Sequence, residues 1–151
     1  MIAAPAEVLY DIVSDLPGMG ELASDEHQGG RWVGGATAPA VGARFKGRNS
    51  NGARRWNTVA TVDIADRGRQ FAFDVAGGPI KVSRWSYRFE PVEGGTKVTQ
   101  VWDDRRNALA KKFGDALSGV SDRAATNRAA MEITLANLAD RVGGEPDINP
   151  S

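Results

Sequence analysis

Hydrophobic and polar residues alternate with a period of two between residues 27 and 104, which predicts β-strands. In residues 84–102 large aromatic side chains occupy every second position before a turn at Glu93-Gly94-Gly95. Asn51-Gly52 predicts another tight hairpin, because both positions of such a turn favour positive φ. Strands are predicted in HQGGRWV, ARFKGRNS, RRWNTVATVDIA, QFAFDVA and the two halves of 84–102. The pattern therefore predicts a six-stranded antiparallel meander.

A period of about 3.6 on both sides of this region predicts helices. Residues 5–16 form the first, with an apolar face of Val8, Ile12, Val13 and Leu16, and MGELAS is expected to add a short helical turn. A long amphipathic helix is predicted at 120–142, and its apolar stripe comprises Leu117, Val120, Ala124, Asn127, Met131, Leu135, Leu138 and Val142. Gly114 and Gly119 predict an irregular stretch before it.

The order helix, antiparallel meander, long C-terminal helix predicts an α+β fold in which a curved sheet covers a helix. Residues 1–143 are expected to form a single domain, and residues 144–151 a flexible tail. Because side chains alternate along a strand, one sheet face meets the helix and the other meets water. The helix-facing set is predicted to be Phe45, Trp56, Thr58, Phe71, Phe73, Trp85, Tyr87, Phe89, Gln100 and Trp102.

Composition narrows the classes of function. Nineteen basic and nineteen acidic residues give a net charge of zero, so the overall charge does not predict a nucleic-acid partner. The absence of cysteine excludes disulfides, thiolate metal sites and cysteine nucleophiles. The first residues lack the basic region of a signal peptide, and no apolar run reaches the roughly 18 residues of a membrane span. A cytoplasmic protein without a membrane span is expected.

The order of elements and several motifs together resemble the START-like, or SRPBCC, helix-grip superfamily and its polyketide cyclase/dehydrase-like branch. The resemblance extends from Ala4 to about Leu138. It rests on APAEVLYDIVSDLPGM, GARFKGRN, RRWNTVATV, RQFAFDV, RWSYRFEPVEGGTKVTQVW and DRAATNRAAMEITLANL. It implies a sheet wrapped around a long C-terminal helix, with a hydrophobic cavity between them. Most relatives of this kind are ligand-binding or uncharacterised.

One departure from the family concerns the N-terminus. Family members carry a first strand before the APAEV helix, whereas only Met1-Ile2-Ala3 precede Ala4 here. Either that edge strand is missing or the natural start lies upstream of Met1. A missing edge strand would leave the backbone N–H and C=O groups of its neighbour unpaired. Such an edge favours pairing with a second copy, so a homodimer is an expectation.

The aromatic stripe has two interpretations, a packed core or the wall of a pocket. Buried aromatic rings stabilise a core without any ligand. Polar residues recur on the same face, however, and ligand sites are apolar with a few convergent polar groups. The second interpretation predicts a ligand site made of Phe45, Trp56, Thr58, Phe71, Phe73, Trp85, Tyr87, Gln100, Trp102, Asn127 and Met131. No metal and no cofactor are predicted.

Candidates for acid–base chemistry are few. The single histidine, His27, lies on a weak edge strand and is expected to have a surface or turn role. Asp103-Asp104 followed by Arg105-Arg106 is expected to form exposed ion pairs at the end of a strand. The alternative is that Asp104, in phase with the inward-facing Gln100, is a catalytic carboxylate at the pocket mouth, for which desolvation would have to raise its pKa. Arg44, Lys46, Arg48, Arg54 and Arg55 form a basic patch on one hairpin, either for an acidic partner or simply as a solvated face.

Three functions follow from these interpretations. The first is binding of a hydrophobic small molecule, polycyclic, polyketide-like or lipid-like, between sheet and helix. The second is a polyketide cyclase or dehydratase in the same cavity, with Tyr87, Gln100 and Asp104 as catalytic residues. The third is a protein-interaction module, which predicts a filled core and an exposed apolar patch.

Overall fold

The computed structural model describes residues 1–23 and 26–143, so the predicted tail at 144–151 lies outside the described residues. The elements are α1 (Ala6–Ser14), a 3₁₀ helix (Leu16–Glu21), β1 (His27–Val33), β2 (Arg44–Asn51), β3 (Arg54–Asp66), β4 (Gln70–Gly77), β5 (Ile80–Val92), β6 (Gly95–Asp104), α2 (Ala108–Ser118) and α3 (Arg123–Gly143). None of the helices in this part of the chain has the length and apolarity required to cross a bilayer.

The six strands form one antiparallel sheet in the order β1-β2-β3-β4-β5-β6, which confirms the predicted meander and the α+β class. The β3–β4 pairing shifts register between Val62 and Ile64, and β-bulges of this kind increase the local twist and bend the sheet. At the outer edge of β6, Ile2 forms an isolated antiparallel bridge with Thr96. The result is a curved sheet whose concave face receives α1 and α3.

The β2–β3 turn lies one residue later than predicted. Asn51 is the last residue of β2 and pairs with Arg54, so the two turn residues are Gly52 and Ala53. Gly52 has a φ of 62°, and no residue other than glycine has positive φ among the described residues. Glycine at the first position is typical of a type II′ hairpin. The shift leaves the Asn51 side chain free to bond elsewhere.

Helix α1 fills one end of the concave face with a packed core. Leu9 and Val13 have no exposed surface, and the Tyr10 ring packs edge-on against Phe71 and Phe89 with centroid distances of 5.9 Å. Val8, expected on the apolar face, is 43% exposed instead. The helical period was correct, but the buried face is rotated toward the aromatic residues of β4 and β5.

The stretch predicted to be irregular is the regular helix α2. The Asn107 side chain accepts a hydrogen bond from the Ala110 N–H at 2.8 Å, and Gly119 ends the helix with a φ of 72°. These are ordinary helix start and stop signals, so Gly114 in the middle did not interrupt the helix. In α3, which confirms the predicted long helix, the buried residues are Asn127, Thr134 and Leu138.

Candidate functional site

A cavity of about 590 Å³ lies between the concave face of the sheet, helix α2 and the N-terminal half of α3. It occupies the end of the concave face that α1 does not fill, because the aromatic core around Phe71 ends where the cavity begins. Both interpretations of the aromatic stripe therefore apply, at opposite ends of one face. The cavity has the size of sites that enclose small organic molecules, roughly 300–1,000 Å³.

The structure places most of the residues predicted for the ligand site on the cavity wall. Strands β2 to β6 contribute aromatic rings, and polar side chains interrupt the apolar surface at a few points. The predicted residues found there are Phe45, Trp56, Thr58, Phe73, Trp85, Tyr87, Gln100, Trp102 and Asn127. Their common position follows from strand alternation and from register, since Trp85 pairs with Trp102 and Tyr87 with Gln100.

Two residues of the predicted site do not line the cavity. Phe71 points to the correct face but has no exposed surface, because the Tyr10 ring covers it. Met131 is only partly buried and lies beside the cavity-facing stripe of α3. The residues of α3 that do line the cavity are Arg123, Asn127, Ala130 and Thr134.

A neutral polar pair lies on the cavity wall. The Gln100 side-chain Nε2 donates a hydrogen bond of 2.8 Å to the Tyr87 hydroxyl. Gln100 Oε1 is buried and has no hydrogen-bond partner among the described residues. Tyr87 is 3% exposed, and its burial raises the pKa of its hydroxyl, so this group is protonated throughout the neutral range. The pair offers hydrogen bonding without charge.

His27 contradicts the expected surface or turn role, because it lines the cavity. Burial lowers the pKa of its imidazole, and interaction with the Asn49 side chain acts in the opposite direction. Asn49 in turn donates to the Thr58 hydroxyl at 3.2 Å. The imidazole is therefore neutral at pH 7 and belongs to a chain of uncharged polar groups along β1, β2 and β3.

Asp104 forms an ion pair with Arg106, as the sequence predicted for this strand end, and does not have the raised pKa of the alternative acid role. Its two carboxylate oxygens accept hydrogen bonds of 2.9 Å from Arg106 Nε and Nη2, and the Arg106 backbone N–H donates a third bond. The pKa of Asp104 is lowered, chiefly by the side-chain hydrogen bond from Arg106. An acid catalyst at neutral pH needs a raised pKa instead. Arg106, which lines the cavity, also contacts Asp115 of α2 at 3.5 Å. Asp104 is a structural anion.

Arg123, Ala130 and Thr134 were absent from the predicted site, because the inner stripe of α3 was predicted mainly from apolar positions and contained only Asn127 of the four residues found there. On α3 the spacing of Arg123, Asn127, Ala130 and Thr134 is itself helical, but the stripe is polar or small. Arg123 forms an ion pair with Glu26, which also lines the cavity. A helical stripe of polar and small residues opposite large aromatic strand residues is the signal that could have identified this face.

Helix α2 forms one side of the cavity and is fastened mainly by polar contacts. The Asn51 side-chain amide donates to the Ser118 carbonyl at 2.9 Å, and the Arg54 guanidinium donates to the Ala116 carbonyl. Phe113 and Leu117 line the cavity although they are 60% and 45% exposed. The cavity is therefore continuous with the surface on the α2 side. Of the predicted basic patch, Arg54 therefore contacts α2. Arg44, Lys46 and Arg48 are exposed to solvent on β2.

The arrangement can enclose an apolar molecule and orient it by a few neutral hydrogen-bonding groups. Within residues 1–23 and 26–143 no three acidic or histidine side chains come together in a geometry that could hold a metal ion.

Comparison with protein families gave a match over residues 1–143 to the family described as polyketide cyclase / dehydrase and lipid transport. A Polyketide_cyc-like protein of Corynebacterium glutamicum, solved by NMR, is 32% identical, with 94% of this chain and 78% of that chain covered and a TM-score of 0.50. The comparison with curated proteins gave no match.

More distant structures share the fold. A protein of Chromobacterium violaceum is 14% identical and covers 97% of this chain and 94% of its own, with a TM-score of 0.67. The major latex-like protein 151 of Panax ginseng is 13% identical and covers 93% and 90%, also with a TM-score of 0.67. At these identities the likeness concerns the fold alone, and it confirms the helix-grip architecture that the motifs predicted.

Proposed function

Because this chain belongs to the polyketide cyclase/dehydrase and lipid transport family, we propose that it binds one hydrophobic small molecule, polyketide-like, polycyclic or lipid-like, in the cavity between sheet and α3. The observation that carries the proposal is the 590 Å³ cavity, whose wall is built mainly from aromatic and aliphatic side chains. A fully packed protein of this size leaves few voids larger than a water molecule, so a cavity of this volume calls for an occupant.

In the proposed complex the aromatic wall supplies most of the affinity. Three of the four tryptophans, Trp56, Trp85 and Trp102, line the cavity together with Phe45 and Phe73. Apolar surface removed from water contributes about 25 cal/mol per Å². A ligand that covers these rings therefore gains affinity without any specific polar contact.

Neutral polar groups would fix the orientation of the ligand. Tyr87 and Gln100 lie on the sheet side of the cavity, and Asn127 on the helix side is 7% exposed. The Tyr87 hydroxyl proton has no acceptor among the described residues, because the hydroxyl only receives the Gln100 bond. A ligand oxygen that accepts this proton would be held at a defined place on the wall.

The cavity weighs against a protein-interaction module, because that alternative assumed a filled core. The enzyme alternative loses its proposed acid, since Asp104 is held as an anion by Arg106. Tyr87 and Gln100 remain candidates for polarising a carbonyl group. A dehydratase would return its ligand lighter by one water, and a cyclase would return an isomer with a different retention time, which distinguishes either enzyme from a binding protein.

The decisive experiment combines ligand recovery with a blocked cavity. Native mass spectrometry of protein purified from cells is expected to show a retained molecule, and hydrophobic compounds are expected to quench the tryptophan fluorescence saturably. Ala130→Phe places a ring in the cavity and should weaken binding by about tenfold or more, which corresponds to about 1.4 kcal/mol. Ala129→Phe is the matched control, because Ala129 is exposed on the same helix.

The proposal fails if no compound in a broad hydrophobic library changes the fluorescence saturably. It also fails if Ala130→Phe, folded as judged by circular dichroism, binds as tightly as Ala129→Phe and the wild type.

A further inference from the structure

Among the described residues, every charged side chain on the cavity wall is held by a partner of opposite sign. Glu26 and Arg123 form an ion pair with each other across the cavity margin. Arg106 lies between Asp104, at 2.9 Å, and Asp115, at 3.5 Å. Two guanidinium groups are thus matched by three carboxylates, so neither cation is available to an incoming anion without first losing its partner.

Burial makes these pairs difficult to exchange. The side chains of Arg106 and Arg123 are 9% and 14% exposed, and those of Glu26 and Asp104 are both 22% exposed. An ion that leaves such a pair leaves an uncompensated buried charge behind, which is strongly unfavourable. For comparison, Arg128 and Glu132 pair on the outer face of α3 with 82% and 74% exposure, where water replaces the partner readily.

The remaining polar atoms that the described residues contribute to the wall are uncharged at neutral pH. They belong to amides, hydroxyls and the imidazole of His27, whose pKa is lowered by burial. Such groups can bind an alcohol, a ketone or an ester. Without a free cation they offset only part of the cost of moving a carboxylate from water into an apolar cavity.

We infer that the cavity selects uncharged ligands and rejects the corresponding carboxylates, and that Glu26 determines this specificity by occupying Arg123. The inference rests on the proposed function, because it names the chemical class of the molecule that fills the same cavity. Removing the Glu26 charge should release Arg123 as an anion-binding group and extend the ligand range to carboxylates.

The test uses three fluorescent probes with the same pyrene ring and different head groups, of which only the acid is charged at pH 7.5: 1-pyrenebutanol, 1-pyrenebutyric acid and the methyl ester of that acid. The wild type should bind the alcohol and the ester at least about tenfold more tightly than the carboxylate. Glu26→Gln should raise the ratio of carboxylate affinity to alcohol affinity about tenfold relative to the wild type. Glu132→Gln is the control, because it breaks the exposed Arg128–Glu132 pair on α3, the helix that also carries Arg123. It should leave all three affinities unchanged.

Asp104→Asn provides a second variant if Glu26→Gln does not fold. It removes the anion that pairs with Arg106, so it should also raise the affinity for the carboxylate probe relative to the alcohol. A merely structural role for Glu26 would change the unfolding midpoint without changing the ratio of the affinities.

Equal binding of alcohol and carboxylate by the wild type overturns the inference and leaves the proposed function intact. A folded Glu26→Gln protein with wild-type selectivity overturns the role of Glu26. Absence of binding of all three probes counts against the proposed function, and the inference falls with it.

Discussion

Tyr87→Phe tests the polar pair on the cavity wall in the absence of any ligand. The change removes one hydroxyl and leaves the ring volume intact, so Gln100 loses the acceptor of its 2.8 Å hydrogen bond. Because Oε1 of Gln100 already has no partner among the described residues, the whole amide would then be unpaired. An unpaired buried polar group costs about 1–3 kcal/mol, so we expect a loss of about 2 kcal/mol of unfolding free energy.

A double-mutant cycle separates this effect from simple loss of a contact. Gln100→Leu leaves the Tyr87 hydroxyl unpaired but also removes the unpaired Oε1, so its cost should be smaller, about 1 kcal/mol. The double variant removes both polar groups and should fall within about 0.5 kcal/mol of the wild type, since replacing both partners with apolar groups can be nearly neutral. The two single effects should therefore not add.

Urea unfolding followed by circular dichroism measures these differences as shifts of the midpoint at constant slope. In thermal unfolding, a loss of about 2 kcal/mol corresponds to a lower midpoint by about 4–8 °C for a domain of this size. Tyr10→Phe is the matched control, because Tyr10 is the only other tyrosine and is buried mainly through its ring contacts. The reasoning is refuted if Tyr87→Phe is as stable as the wild type, or if the single effects simply add.

Three further predictions concern pH and the attachment of α2. Asp104→Asn should lower the free energy of unfolding at pH values above 3.8, the ordinary pKa of the carboxyl group. The difference from the wild type should vanish as the pH falls through the lower pKa of Asp104 in the folded protein. Urea unfolding at a series of pH values measures this difference. The single imidazole of His27 should titrate by NMR below its ordinary pKa of 6.5. Wild-type stability should consequently decline as the pH drops below 6.5, because the unfolded chain gains the proton first, and His27→Gln should lack this decline. Asn51→Ala removes a hydrogen bond to the Ser118 carbonyl, so amide exchange in α2, but not in α3, should accelerate about fivefold.

The fold could be predicted from the sequence because its signals are local. Alternation identified each strand, and glycine-containing turns placed adjacent strands side by side, so the meander needed no long-range information. Two errors in this part were also local: one residue at the Asn51 turn, and Gly114, which is tolerated inside α2 because the cap at Asn107 and the stop at Gly119 define the helix. The third error, the exposed Val8, depends on how α1 packs against the sheet.

The site could be predicted only where it depends on strand alternation. Trp56, Trp85 and Gln100 were placed on the correct face, since every second residue of a strand shares a side. The separation of Phe71 from the cavity depends on where α1 lies, and no pattern within β4 contains that information.

The charged residues at the site depend on tertiary contacts. Arg123 and Glu26, which form an ion pair, are 97 positions apart in the sequence, so their pairing could not be predicted from spacing along the chain. Asp104 was correctly placed on the inward phase of β6, but its environment is set by how the chain turns after the strand, which brings Arg106 back onto the carboxylate.

The filling of one end of the concave face by α1 has a consequence for how such a protein can change. The rings of Tyr10, Phe71 and Phe89 anchor the fold at a place that the ligand cavity does not reach. We therefore expect cavity residues outside the Tyr87–Gln100 pair, such as Ala130 and Trp102, to tolerate substitution better than these three rings. In a chain organised in this way, substitutions at the cavity can change which ligand binds while the aromatic core under α1 stays the same.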